Sequence, residues 1–474
     1  MWTKDQPNFP LNKDEWYQQR DDRTNRMEGI EKIDEISIGI IVSPSVEYDY
    51  STQVMCLVTA NILARWCRKI KFEIFPSDSL LPIQHGNNFK NLIQQMMNEI
   101  DPHGQFDFGD VNETEHDFIL VIGHIDKNMD EPYTWIDGYG WIGGFGYGKS
   151  IKKINQSKQE FNPIGPSFAS CLGVAELFRQ SIGISSQKQY VRWFSLFDFN
   201  CDETNPESLN NPSFNKEFNF GTIHQIGCGA VGSSLDFLLS LTEWTGAIHL
   251  IDYDNVEYTN CNRSLSFTAR DASSKTLKVD SCNNALINSK IDSIPYADEY
   301  SKFVSQGHYK RYPPDLILCL ANEKKIWSTI QHNYPSLVYH ATTTPNWGIN
   351  FGRHIPKKEW CILCRFSNEI KSDLIPPCSE GIISKNESQN KDVYGVLPFL
   401  SPTAAILILG EIVKLNLDDY PINDNFVQLS MKSPNGQFSK LQRGPMGDCI
   451  CNTQSLDVYL DEIIKTKYWY LTKG

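Results

Sequence analysis

Residues 222–234 read Thr-Ile-His-Gln-Ile-Gly-Cys-Gly-Ala-Val-Gly-Ser-Ser, and their reading decides the fold. An apolar strand, Thr222 to Ile226, runs into Gly227, Gly229 and Gly232 at the spacing G-x-G-x-x-G, and a helix over Ser233 to Ser240 follows. The next strand, Ile248 to Asp252, ends on an acid 20 positions after Gly232. That is a nucleotide-binding fingerprint in its strand–turn–helix context. Glycines permit the tight turn and close backbone approach, and the acid suits a ribose hydroxyl. The helix N-terminus offers N–H groups and partial positive charge to phosphate. By itself the fingerprint favours an NAD-dependent oxidoreductase.

Residues 251–264 change that reading. They run Ile-Asp-Tyr-Asp-Asn-Val-Glu-Tyr-Thr-Asn-Cys-Asn-Arg-Ser, and Lys278 opens the next helical stretch, KVDSCNNAL. Hydride transfer has no use for an arginine and a lysine aimed at phosphates. Attack of a carboxylate on an α-phosphate does, because anion meets anion and donors must offset the repulsion. The string Asp252-x-Asp254-x-Val256-Glu257, with Asn260-x-x-Arg263 and Lys278, resembles the ThiF/MoeB and ubiquitin-activating enzyme superfamily. The resemblance implies ATP and Mg²⁺ as cofactors. It puts Asp252 on the ribose and Asn260, Arg263 and Lys278 on the triphosphate. Cys261 and Ser264 stand where the family has Leu and Gln. A further departure follows the strand Asp315 to Leu320. Ala321 or Asn322 occupies the place of the family's metal-binding aspartate, with Glu323 beside it. The family also takes an arginine from a partner domain to the γ-phosphate, for which Arg20, Arg23 and Arg26 are the candidates.

Two cysteine knuckles, Cys361-x-x-Cys364 and Cys449-x-Cys451, can close a tetrahedral, water-free Zn²⁺ site that staples distant segments. The superfamily often carries such a structural zinc, although with C-x-x-C in the second knuckle. The tighter C-x-C makes capture by both thiolates harder. By resemblance, Cys378 falls in the loop that carries an acyl-accepting cysteine in relatives, where attack on an acyl-adenylate would give a thioester.

The first half also alternates strands and helices: Ile36 to Val42, Thr52 to Cys67, Phe72 to Phe75, Phe89 to Met97 and Phe118 to Ile122. This pattern predicts βαβ units and a parallel-rich sheet. Pro132 to Gly148 is dense in Gly and aromatics. Its Gly143 to Ser150 satisfies the P-loop pattern literally, yet lacks the preceding buried strand and following helix, so it reads as a β segment. Apolar helices are expected at Pro166 to Arg179 and Pro402 to Leu415, each with proline at its first position. Residues 200–218, rich in Asn, Pro and Ser, read as a linker. The expected organisation is α/β, with two Rossmann-like domains in a pseudo-dimer. Residues 1–205 form an inactive adenylation half, and residues 206–474 an active half with the zinc-stapled C-terminal part. This is most like bacterial Bil-type activating enzymes for ubiquitin-like proteins.

Composition sets the remaining bounds. Across 474 residues, 44 Lys+Arg face 57 Asp+Glu, and a net charge of -13 repels a nucleic-acid backbone. The longest apolar stretch, residues 396–413, is broken by Ser401-Pro402-Thr403 and Glu411, so no membrane span is expected. With 13 cysteines and no apolar N-terminal segment, a cytoplasmic protein with reduced thiols is expected. The resemblance implies a ubiquitin-like protein and a conjugating enzyme as partners, in a conjugation pathway with a role in antiviral defence, and either a homodimer or an internal pseudo-dimer. The alternatives are a sulfur-carrier or peptide adenylyltransferase and, because the usual aspartate is missing, a pseudoenzyme scaffold.

Overall fold

The computed structural model describes residues 9–26, 33–127, 129–148, 161–185, 188–213, 217–344, 346–365, 396–417, 424–453 and 465–472. Cys378, Lys149 and Ser150 lie outside them. Two eight-stranded mixed sheets form the frame. The first holds β1 (Ser37–Val42), β2 (Lys69–Glu73), β3 (Gln105–Phe108) and β4 (Phe118–Ile122). To these it adds β5 (Tyr133–Tyr139), β6 (Ile142–Gly148), β7 (Tyr190–Ser195) and β8 (Cys201–Asp202). The second holds β9 (Asn219–Ile226), β10 (Thr245–Ile251), β11 (Ile291–Tyr296) and β12 (Leu316–Cys319). It continues with β13 (Val338–Thr344), β14 (Gly348–His354), β15 (Phe426–Ser430) and β16 (Ser439–Leu441).

The strand orders are β3-β2-β1-β4-β5-β6-β7-β8 and β11-β10-β9-β12-β13-β14-β15-β16, the same topology twice. In each, the first five strands pair parallel and the last three antiparallel. The central strands read as apolar runs because both faces are covered, as Ile38 to Val42 of β1 shows.

Helices divide by burial. Helix α1 spans Lys13–Arg20, α2 Tyr50–Leu63 and α3 Phe89–Ile100. Helix α4 spans Ile164–Ser181, α5 Ala230–Leu239, α6 Ala269–Ser273 and α7 Lys278–Leu286. The last long helix, α8, spans Leu400–Lys414. Helix α3 buries only Phe89, Ile93, Met97 and Ile100, the single stripe of a surface helix. By contrast, every residue of α2 and α8 is buried. A helix apolar all round needs cover all round. Here α2 packs on α4, α5 on α8, and α4 on α8, so the central helices form the seam between the two sheets. One hydrophobic core runs through both halves.

Across the seam the contacts are reciprocal. In α4, Arg179 pairs with buried Glu176 at 2.6 Å and donates to the Met431 carbonyl, just past β15. In α8, Lys414 pairs with buried Glu411 at 2.5 Å and sits 4.1 Å from the Phe199 ring centroid, just past β7. Each half thus sends a cation to the same place on the other, as in a two-fold interface.

Three sequence expectations are corrected. Pro166 and Pro402 stand third in their helices, not first, since α4 and α8 begin at Ile164 and Leu400. The whole first turn lacks intrahelical acceptors for its N–H groups, so proline costs little there too. Helix α5 begins at Ala230, inside the glycine string. The expected linker contains β8, which pairs with β7 and completes the first sheet. The P-loop-like glycines lie on β6, as the β reading has it. A Cβ on Gly143 would come 2.6 Å from the Gly165 carbonyl of α4, and one on Gly144 would come 2.1 Å from Trp193. Among the described residues, no helix is long and apolar enough to cross a membrane.

Candidate functional site

The glycine string turns from β9 into α5 at the C-terminal edge of the parallel strands. Gly227 has φ +102, which glycine alone adopts freely, and a Cβ on Gly232 would stand 2.3 Å from the Gly227 carbonyl. The backbone therefore closes tightly and frees the N-terminus of α5. Asp252, one residue past β10, accepts from the Cys228 N–H at 2.8 Å and the Asp254 N–H at 2.9 Å. Burial raises its pKa. Two adjoining cavities open here. One, about 330 Å³, is lined by Gly227, Asp252, Tyr253, Asn322 and Glu323. The other, about 510 Å³, is lined by Gly229, Asn260, Arg263, Lys278, Asn322 and Arg23. Gly229, Asp254, Lys278 and Asn322 border both, which makes one continuous cleft.

Its second compartment is cationic. Arg263 donates to the Thr259 carbonyl at 2.7 Å and to Asn262 Oδ1 at 2.8 Å, and among the described residues it forms no ion pair. Burial and then the nearby charge of Arg23 lower its pKa to about 9. Burial, with Arg26 next, lowers that of Arg23 as well. Glu257 lies near both guanidiniums but offsets only part of their charge, which leaves this end of the cleft suited to an anion. Lys278 opens α7 and pairs with Asp254 at 2.6 Å. The Asn260 oxygen accepts from the Glu257 N–H at 3.0 Å, which leaves the amide nitrogen to donate.

The three N-terminal arginines separate by position. Arg20 is fully buried and held by Asp101 at 2.7 Å and Asp21 at 2.6 Å. Arg26 pairs with Asp22 on the surface. Only Arg23 lines the cleft. It is carried there because α1 is gripped from both sides. Trp16 donates to Asp101 of the first half at 3.0 Å and lies edge-on to Tyr258 of the second at 5.8 Å. Next to Arg23, Thr24 accepts from Asn262 at 3.1 Å and donates to the Val396 carbonyl at 3.3 Å.

Among the described residues, the acids of the cleft do not gather into a magnesium site of their own. Ala321 and Asn322 line the cleft where a carboxylate would be needed. Of the nearby acids, Asp252 is taken by backbone N–H groups, Asp254 by Lys278, and Glu323 by the Tyr253 hydroxyl at 3.1 Å. Zinc does fit. The Sγ atoms of Cys361, Cys364, Cys449 and Cys451 all lie within 4.8 Å of one another. The separations 3.8, 3.6 and 3.4 Å approach the ~3.8 Å edge of a zinc–thiolate tetrahedron with bonds of ~2.3 Å. The C-x-C knuckle is no obstacle, because both its thiols turn to the same point. The Met446 N–H supports Cys364 at 3.4 Å. No position in this set is open for water, so the ion it suits is structural. Arg365 donates from this knuckle to His340 Nδ1 at 3.0 Å, and burial holds that histidine neutral. The staple is thereby tied to β13, whose Ala341 and Thr343 line the cleft.

The ThiF family profile matches residues 214–451, half of the chain and the part that holds the glycine turn, Arg263, Lys278 and the four cysteines. The chain belongs to the ThiF family. Among solved structures it is similar to E. coli MccB with MccA-N7isoASN, at 16% identity and TM-score 0.35 over 49% of this chain and 67% of that one. It is also similar to E. coli MccB with AMPCPP and MccA, at 18% identity and TM-score 0.36 over 48% and 65%. E. coli MccB with ATP gives 17% and 0.35 over 48% and 65%. The chain thus spans about two thirds of those proteins' length. A search of curated proteins gave no match.

Sequence reasoning missed Arg65. It is fully buried and reaches from the end of α2 to the loop that carries Arg263. The signal was a lone cation in the apolar run Ile62 to Cys67, which had to find its partners inside.

Proposed function

We propose that the protein is an ATP-dependent adenylyltransferase of the ThiF/MoeB type, acting on the terminal carboxylate of a peptide or small protein. The observation that carries the reading is the meeting of Arg23, Arg263, Lys278 and the α5 N-terminus on one cleft. Asp252 would take the ribose, with the triphosphate running past Asn260 toward Arg23. A substrate carboxylate oxygen then bonds to the α-phosphorus, the bond to the β-phosphate oxygen breaks, and pyrophosphate leaves with that electron pair. Arg23, Arg263 and Lys278 offset the charge that accumulates on the phosphoryl oxygens. Ala321 and Asn322 stand where the resemblance puts a metal-binding carboxylate, so a magnesium ion would depend on the nucleotide's own phosphates.

The finer reading names a ubiquitin-like protein as substrate, with the acyl group passing to Cys378 as a thioester and on to a conjugating enzyme in the cytoplasm. Its support is the two-half architecture, with one glycine-lined cleft and one half lacking it. The cleft itself requires no thioester, so peptide adenylation without Cys378 is the simpler account. ATP–pyrophosphate exchange tests the main reading. Substrate-dependent exchange in wild type that falls about 10²–10³-fold in Arg263→Ala supports it. ATP binding without exchange for any carboxylate substrate leaves a binding scaffold. A reductant-labile adduct lost in Cys378→Ala would establish the thioester.

A further inference from the structure

We propose that Arg65 is a positioning residue, by which the half without a nucleotide site sets the loop that presents Arg263. For its kinetic consequence this rests on the adenylation reading, but its geometry does not. Arg65 Nη1 donates to the Cys261 carbonyl at 2.7 Å and the Phe267 carbonyl at 3.1 Å, and Nη2 to the Leu265 carbonyl at 2.7 Å. Its Nε donates to Asn61 Oδ1 at 2.9 Å, and Asn61 in turn donates to the Leu265 carbonyl at 3.1 Å. Among the described residues no carboxylate pairs with it, and burial lowers its pKa to about 9.

A guanidinium in this setting is a poor device for stability. Desolvation is costly, and an apolar side chain would fill the seam without that cost. What it provides is geometry. Its donors lie in one rigid plane and here hold three carbonyls drawn from both sides of residue 263. Arg263 sits between the held points, and its neighbour Asn262 is fixed from the other side by Thr24. The loop is thus set by two separate elements of the first half, α2 and the segment bearing Arg23. Lysine, a point charge on a flexible stem, cannot span the same three carbonyls.

The test uses the full chain as wild type, Arg65→Lys, Arg263→Ala and the double variant. It combines amide hydrogen exchange over residues 261–267 with ATP–pyrophosphate exchange. Arg65→Lys is expected to keep the global melting temperature within a few degrees and to raise exchange in that loop. It should lower catalytic exchange about tenfold, chiefly through a higher KM for ATP, as a misaligned contact does. The double variant should be no slower than Arg263→Ala alone, because Arg65 acts through Arg263. Additive losses, or an unchanged loop with unchanged KM, overturn the proposal. Should Arg65→Lys fail to fold, Asn61→Ala loosens the same grip and is read in the same way. If wild type gives no pyrophosphate exchange, the adenylation reading fails, while loop exchange still decides whether Arg65 holds the loop.

Discussion

The two halves share a topology strand for strand and differ at the turn after the first strand. In the second half β9 passes through Gly227-Cys228-Gly229 directly into α5, and backbone N–H groups face an open cleft. In the first half β1 passes through Ser43 and a short helical turn, Pro44–Glu47, before α2 begins. There the Ser45 N–H donates to Ser43 Oγ at 3.2 Å and the Thr52 N–H to Asp49 Oδ2 at 2.9 Å. The chain's own oxygens satisfy the donors that a phosphate would otherwise take, and Asp49 adds a negative charge. A fold can therefore lose its ligand while keeping every strand. What the first half retains is the shape that braces its partner, together with the arginines at positions 23 and 65.

The comparison breaks first if the zinc staple is not particular to the second half. One zinc per chain is expected by elemental analysis, and Cys449→Ser should lose it together with order in the C-terminal part. Structural zinc sites are worth on the order of 10 kcal/mol. Next come the reciprocal ion pairs. Glu176→Gln and Glu411→Gln each leave a buried cation without its partner, and each should cost about 3–5 kcal/mol in denaturant unfolding. A large loss in one half only would show that the pseudo-two-fold interface is not energetically reciprocal.

Arg23→Ala should slow pyrophosphate exchange about 10²–10³-fold, while Arg26→Ala leaves it near wild type. Equal rates for the two variants would reduce the first half to a passive scaffold. The smallest effect concerns Asp236, buried behind the glycine turn beside Gln225, at the seventh position of α5, where α2 has Cys56. Burial raises its pKa to about 7. An acid whose folded pKa lies above its unfolded value of 3.8 favours folding most below pH 3.8. That contribution is lost as pH rises through about 7. Asp236→Asn should therefore raise the melting temperature by a few degrees at pH 8 and leave it unchanged near pH 4.

Much of the candidate site was legible because it is local. Gly227 to Lys278 lie within one βαβ unit and the loop after it, so their spacing along the chain translates directly into neighbourhood in space. The cysteines were legible for a different reason, since few arrangements other than a metal site use paired thiols at such spacing. The glycines of β6 match the P-loop pattern literally, but they lie inside a strand and not in a turn after one. Helix starts around Pro166 and Pro402 shifted by two residues because the whole first turn tolerates proline.

By itself the sequence determined the nucleotide fingerprint, the cations beside it, the four thiols and the α/β alternation in both halves. Each depends on residue types at short range or on periodicity, which a linear string displays. Tertiary structure alone decided that Arg23, and not Arg20 or Arg26, reaches the cleft, and that Arg65 grips a loop some 200 positions away. It also decided that both halves close on one seam of buried helices. Contacts between remote segments depend on how two finished surfaces meet, and no spacing in the chain encodes that meeting.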